Sequence, residues 1–331
     1  MHQANSSGGA PPAIQAIDLV KTYPGDVRAL DGLSIAVEAG AVFGMLGPNG
    51  AGKSTTVKIL TTLSRPDSGI AVVDGLDVVK HPDAVRRRIG SVGQKSAVDP
   101  TATGRENLQL QGRFYGLGGR DLRSRIDVML DRFGLGDAGN RIVGTYSGGM
   151  QRKLDVAMGL IHQPRVLFLD EPTTGLDPEA RTELWSEVRR LTEGEGLTIL
   201  LTTHYLEEAD QLCRRLVIVD RGRVVAEGTP DELKAELHGD AIVAELRDAA
   251  SAGPAMAALG RVPGLSESAA EGRTVRTRAD RGPASVPAVI AALEAAGIAV
   301  AAVTVARPSL DDVYFRHTGR SYSATQPEAV R

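Results

Sequence analysis

The sequence predicts two domains: an α/β domain on a mainly parallel sheet with an inserted helical subdomain, then a smaller domain of order β-α-β-β-α-β. Three observations predict this. Short continuous apolar runs alternate with helical periodicities up to about residue 230, the pattern of strands buried on both faces between helices. Between residues 95 and 163 the strand signal gives way to helical periodicity. After DELKAELHGD the texture changes again, so the first domain is placed at 13–239 and the second at 240–320.

Residues 1–12 lack a positive region followed by an apolar core, so they read as a flexible tail and not as a secretory signal. AVFGML (41–46), VLFLD (166–170), TILLTT (198–203) and LVIVD (216–220) read as buried strands. In the helical insertion Leu122, Ile126, Met129, Leu130 and Phe133 recur at helical spacing and form one apolar face. The second domain opens on AIVAELRD and a small-residue helix near 254–259, continues through the strands LSESA and RTVRTRAD, and closes with the helix VPAVIAALEAAG and the strand IAVAAVTVA. That order is consistent with a two-layer, ferredoxin-like α+β unit. It carries no phosphate loop, paired carboxylate or metal-ligand cluster, and assembly or regulation is its expected role. Residues 321–331 read as a polar tail.

Composition narrows the function classes. The formal charge of −3 and the scattered basic residues do not form the footprint of a nucleic-acid binder. One cysteine, Cys213, excludes an internal disulfide framework and reads as a buried small hydrophobe. Arginine far outnumbers the seven lysines, which suggests a GC-rich bacterial genome. The longest apolar runs, such as 298–306, fall well short of the ~20 residues a membrane-spanning helix needs.

Gly47, Pro48, Asn49, Gly50, Ala51, Gly52, Lys53 and Ser54 spell G-x-x-x-x-G-K-S between a predicted strand and a predicted helix, the setting a phosphate-binding loop requires. Glycines let the backbone curl so that successive N–H groups face phosphate oxygens, and the following helix adds its positive end. Lys53 is expected to reach the β- and γ-phosphates of ATP and Ser54 to ligate Mg²⁺, with Thr55 as a further nucleotide contact. At the end of VLFLD, Asp170 is expected to hold Mg²⁺ directly or through water, and Glu171 to orient and deprotonate the attacking water. A second anion cradle, Ser147, Gly148 and Gly149, opens a helical run in YSGGMQRKLDVA.

With TTGLDP and LTTHYLEEAD added, the set resembles an ABC-type ATPase of the P-loop NTPase class, in order and spacing, across residues 14–230. The resemblance implies that Gln94, in SVGQKS, senses the γ-phosphate and Mg²⁺ and links the catalytic core to the helical subdomain. It makes His204 the residue that contacts the γ-phosphate, and Tyr23, in VKTYPG, the ring that stacks on adenine. It also explains the second cradle, which in this family completes the site of a facing subunit and supplies donors to its γ-phosphate. Asp177 would then run along the interface of a homodimer holding two ATP and Mg²⁺. The family's commonest signature is Leu-Ser-Gly-Gly-Gln. Here Tyr146 and Met150 flank the Ser-Gly-Gly, so any role of that glutamine requires Gln151 to substitute.

TGRENLQLQGRFYGL, YSGGMQRKLDVA and RPSLDDVYFRHTGR resemble, more narrowly, the daunorubicin-resistance type of ABC ATP-binding subunit. That type implies a separate integral membrane permease, peripheral attachment at the cytoplasmic face of the cell membrane, and export of hydrophobic drugs or antibiotics. Leu310, Val313 and Phe315 of the last motif also suit plain packing. Two alternatives stay open: the ATPase of an importer, which a binding protein would accompany, and a soluble ABC protein of translation or DNA maintenance. The second usually carries two cassettes, a long coiled coil or zinc-binding cysteines.

Overall fold

A computed structural model describes residues 11–319 and Tyr322, so residues 1–10 of the expected N-terminal tail and most of the expected C-terminal tail lie outside the described residues. The chain divides into two compact units between Glu227 and Gly228.

The first unit begins with strands β1 (Ile14–Tyr23), β2 (Val27–Val37) and β3 (Val42–Leu46), helix α1 (Lys53–Leu60), and strands β4 (Ser68–Val73) and β5 (Leu76–Asp77). Helix α2 (Pro82–Arg88) and strand β6 (Ile89–Val92) lead to three helices, α3 (Gly104–Phe114), α4 (Gly119–Arg132) and α5 (Gly148–Leu160). Strand β7 (Val166–Asp170), helix α6 (Pro178–Glu195), strand β8 (Thr198–Thr203), helix α7 (Leu206–Leu212) and strands β9 (Arg215–Asp220) and β10 (Arg223–Gly228) follow. A six-stranded sheet runs β10-β9-β3-β8-β7-β6, with β3, β6, β7, β8 and β9 parallel. Its central strands are buried along almost their whole length, which is why they read as unbroken apolar runs. Gly44 of β3 is fixed by this packing, because a Cβ there would lie 2.5 Å from Cys213 Sγ. Cys213 is buried as expected, and burial pushes its thiol pKa up.

The unit also holds a four-stranded sheet, β2-β1-β4-β5, in which β1 pairs antiparallel with both β2 and β4. No unbroken apolar run or strict alternation in β1 marks this sheet in the sequence. Ile14, Ala16 and Leu19 point into the core, but a register shift after Ala16 and a left-handed Asp18 (φ 49°) interrupt their period of two. The helical insertion forms as predicted: Leu122, Ile126 and Leu130 of α4 are buried together with Phe133, while Met129 is half-buried at their edge. A capping box, Thr103 with Glu106, starts α3.

The second unit comprises α8 (Pro230–Ala235), β11 (Asp240–Leu246), α9 (Ala252–Leu259), β12 (Leu265–Glu271), β13 (Thr274–Ala279), α10 (Gly282–Ala295), β14 (Val300–Ala306) and α11 (Leu310–Thr318). Its sheet order is β12-β13-β11-β14, antiparallel throughout, so the first and third strands are central as in a βαββαβ two-layer unit. Leu246, Val275, Val289 and Leu293 form its core. Helix α8, which the sequence analysis left in the first domain, packs with α11 here. Arg316 donates to the Glu236 carbonyl at 2.7 Å just beyond α8. Tyr322 departs from the expected polar tail: it is buried, edge-on to Tyr314 with ring centroids 4.9 Å apart.

Candidate functional site

Strand register builds the site. Leu46 of β3 lies opposite Thr203 of β8, and Thr202 lies opposite Asp170 of β7. The loop 47–54, Asp170 and His204 therefore leave neighbouring strands at one carboxyl edge, where parallel α/β sheets bind ligands. Two glycines are required by the loop's shape. A Cβ on Gly47 would lie 2.4 Å from the Val219 carbonyl, and Gly52 has φ 110° with its Cβ position 2.7 Å from the Ala29 carbonyl. Asn49 and Gly50 form the exposed tip, Ala51 is buried, and Ser54 and Thr55 stand half-buried on the first turn of α1. Pro48 caps the turn by accepting from Ala51 N–H at 3.2 Å.

Lys53 is buried, and its Nζ donates to the carbonyls of Gly47 (2.7 Å) and Pro48 (3.1 Å). It also lies 3.3 Å from Glu171 Oε1. The other carboxylate oxygen, Oε2, accepts from Gln94 Nε2 at 3.3 Å and lies 3.0 Å from His204 Nδ1, out of line for a hydrogen bond. Residues from three other segments thus meet at the one buried Glu171 carboxylate. Burial would raise the Glu171 pKa, but His204 and the Lys53 charge outweigh it and hold the group below the ordinary glutamate range. Burial lowers the Lys53 pKa, against the opposing pull of Glu171 and Asp170.

Next to this cluster, the Ser54 hydroxyl lies 3.2 Å from Asp170 Oδ1, which also accepts from Thr202 Oγ1. Two hard oxygen donors side by side on rigid elements fit Mg²⁺, which takes few protein ligands and keeps its remaining positions for water and phosphate.

The Ser147 cradle has another setting. Ser147 is the N-cap of α5 and accepts from Met150 N–H at 3.2 Å; both it and Gly148 are exposed, so the positive helix end opens to solvent. A Cβ on Gly148 would meet nothing within 4 Å, whereas one on Gly149 would lie 2.8 Å from Ala180 Cβ. Gly149 is therefore small because α5 packs on the first turn of α6. That turn is capped by Asp177, whose Oδ1 accepts from Ala180 N–H at 2.9 Å. Tyr146 is buried and donates to the Ala138 carbonyl at 2.7 Å. The Gln151 amide turns inward, toward the carbonyls of Val143 and Tyr146 at 3.5 and 3.4 Å.

Tyr23 ends β1, half-buried, with Lys21 Nζ 5.7 Å from its ring centroid. Its hairpin partner β2 carries Ala29, which abuts Gly52, so the ring belongs to the hairpin beside the phosphate loop.

Arg152 carries no motif signal in the sequence. This α5 residue is buried and donates to the carbonyls of Pro172 (2.7 Å), Gly93 (2.7 Å) and Asp170 (3.4 Å). Burial lowers its pKa, opposed by Asp155 and by the more distant charges of Asp170 and Glu208.

Residues 30–174 match the family described as ABC transporter, and residues 228–318 match the ATP-binding protein DrrA1-3-like C-terminal domain. The daunorubicin resistance ATP-binding protein DrrA3 of Streptomyces coeruleorubidus is 51% identical, with 94% of this chain and 97% of the relative covered. The daunorubicin/doxorubicin resistance ATP-binding protein DrrA of Streptomyces peucetius is 46% identical, with 93% and 92% covered. Among solved structures, a dimeric ATP-binding cassette in a post-hydrolysis state with ADP and Pi superposes with a TM-score of 0.60 at 26% identity, covering 65% of this chain and 98% of that one.

Proposed function

The chain belongs to the daunorubicin-resistance type of ABC transporter ATP-binding proteins, the subunits that bind and hydrolyse ATP, and from that premise we propose that it powers export of hydrophobic drugs or antibiotics. Two copies would close on two ATP and Mg²⁺ at the cytoplasmic face of the membrane, attached there through a separate dimeric permease. Kinship over nearly the whole chain, second unit included, supports the exporter reading. Among the described residues no helix is long and apolar enough to cross a membrane, which suits a subunit that acts through a permease.

For the chemistry, the carrying observation is the convergence of Lys53, Gln94 and His204 on Glu171. The loop N–H groups and Lys53 hold the β- and γ-phosphates. Ser54 and Asp170 would hold Mg²⁺, which neutralises phosphate charge. Glu171, ionised at neutral pH, orients the attacking water and draws its proton. Gln94 and His204 flank that carboxylate and would contact the γ-phosphate. Tyr23 stacks on the adenine, and Asn49 and Thr55 line the nucleotide. Ser147, Gly148 and Gly149 serve the facing subunit's γ-phosphate, so the site is complete only in the closed dimer, and ATP and ADP favour different states.

The test is Glu171→Gln. Loss of a positioned base costs about 10²- to 10⁴-fold in rate, so this variant should bind ATP normally and accumulate as an ATP-bound dimer. When co-expressed with the permease in a drug-sensitive host, it should confer no resistance. Near-normal turnover with only monomer in ATP would remove Glu171 from this role.

A further inference from the structure

We propose that Arg152 is a positioning residue for hydrolysis, clamping the backbone on both sides of Glu171 and tying it to the helix that carries the Ser147 cradle. The inference rests on the reading of Glu171 as the residue that orients water.

Glu171 has φ 49°, the left-handed region that a side chain with a Cβ rarely occupies. Such a conformation is strained and persists where neighbouring groups over-determine it. On one side the determinants are plain: Glu171 N–H donates to both the carbonyl and the hydroxyl of Thr202, each at 3.1 Å. On the other side stands Arg152. Its guanidinium binds the carbonyl of Asp170, immediately before Glu171, and that of Pro172, immediately after it. A planar fork with donors in fixed directions can bridge two carbonyls flanking one residue, which a single ammonium cannot.

The third acceptor extends the connection. Gly93, bonded at 2.7 Å, directly precedes Gln94, whose amide reaches Glu171. One turn further along α5, the buried Asp155 accepts from Ala97 N–H at 2.9 Å, on the far side of the same loop, and lies 3.9 Å from Arg152 Nη1. The helix whose first residues face the partner's nucleotide thus holds, through two side chains, both the glutamine loop and the catalytic carboxylate of its own subunit. A displacement of α5 as the dimer closes would move Glu171 and Gln94 together. This gives each site a path to register whether the other cradle is engaged.

The experiment measures steady-state ATPase and fluorescent-nucleotide affinity on the full chain carrying Arg152→Lys or Arg152→Met, each also combined with Glu171→Gln. Lysine keeps a cation beside Asp155 but cannot span the three carbonyls, and so protects the fold while breaking the clamp. Misplacing a reacting group by about 1 Å can cost about 10²-fold. We expect kcat to fall by about that factor in Arg152→Lys, with KM and nucleotide affinity unchanged. In the Glu171→Gln background the same change should lower the residual rate no further, because the clamp acts through Glu171. Wild-type kcat in Arg152→Lys would overturn the proposal. So would an equal loss with and without Glu171, the mark of a merely structural role. A Glu171→Gln chain with wild-type turnover would remove the reading of Glu171 itself, and the clamp with it.

Discussion

At Glu171 burial and charge act in opposite directions, and on the proposed function the balance would set the acid limit of activity. Burial favours the protonated acid, while the His204 contact and the Lys53 charge favour the carboxylate and prevail. His204→Ala removes the larger of the two opposing effects. The Glu171 pKa should then rise, and the acid limb of the kcat profile, which requires the carboxylate, should move to higher pH. A profile reduced in height with an unmoved acid limb would mean that His204 does not act through Glu171. Of this cluster, Lys53 and Glu171 were legible because each belongs to a recognisable motif, whereas Gln94 and His204 came only through the family resemblance. Arg152 was not legible, since an arginine inside a helix ordinarily presents its charge to solvent, and only its burial against three carbonyls sets it apart. The inward turn of Gln151 was equally hidden, because an amide reaching carbonyls five and eight residues back leaves no mark on spacing.

Among elements, β7 and β8 occupy the same residues the apolar runs marked, and β3 differs by one residue at its start. Strands buried on both faces state their limits in composition alone. β1, half-solvated and bulged, does not, and its antiparallel sheet went unread. Helix α11 shows a related ambiguity. Leu310 and Val313 do pack, as a plain reading allows, but the motif's Asp312 does more: it accepts from Arg276 at 2.8 Å, lies 3.5 Å from Arg278, and closes a capping box with Ser309. Arg278 and Asp312 are both buried, and stripping one partner from a buried pair typically costs about 3–5 kcal/mol. Asp312→Ala should therefore destabilise the second unit by about that much. In urea, far-UV circular dichroism should show an early transition, while the fluorescence of Trp185, the single tryptophan and a first-unit residue, keeps its midpoint. Coincident, unshifted transitions would show that the ion network contributes nothing.

For the whole molecule, each chain carries a complete phosphate loop and, at the start of α5, an exposed Ser-Gly-Gly cradle, and on the proposed function every active site is shared between two chains. Mixing variants tests this most directly. Lys53→Ala chains lack the lysine that grips the phosphates, and Ser147→Arg chains present a bulky cation where the partner's γ-phosphate must dock; each homodimer should be inactive. In a mixed dimer both defects fall on one site. The other site then pairs an intact loop with an intact cradle. ATPase activity measured across mixing ratios should rise from near zero to a maximum at equal amounts, provided one intact site can turn over. Activity that stays at the level of the separate variants at every ratio, with mixed dimers demonstrably formed, would contradict a shared site.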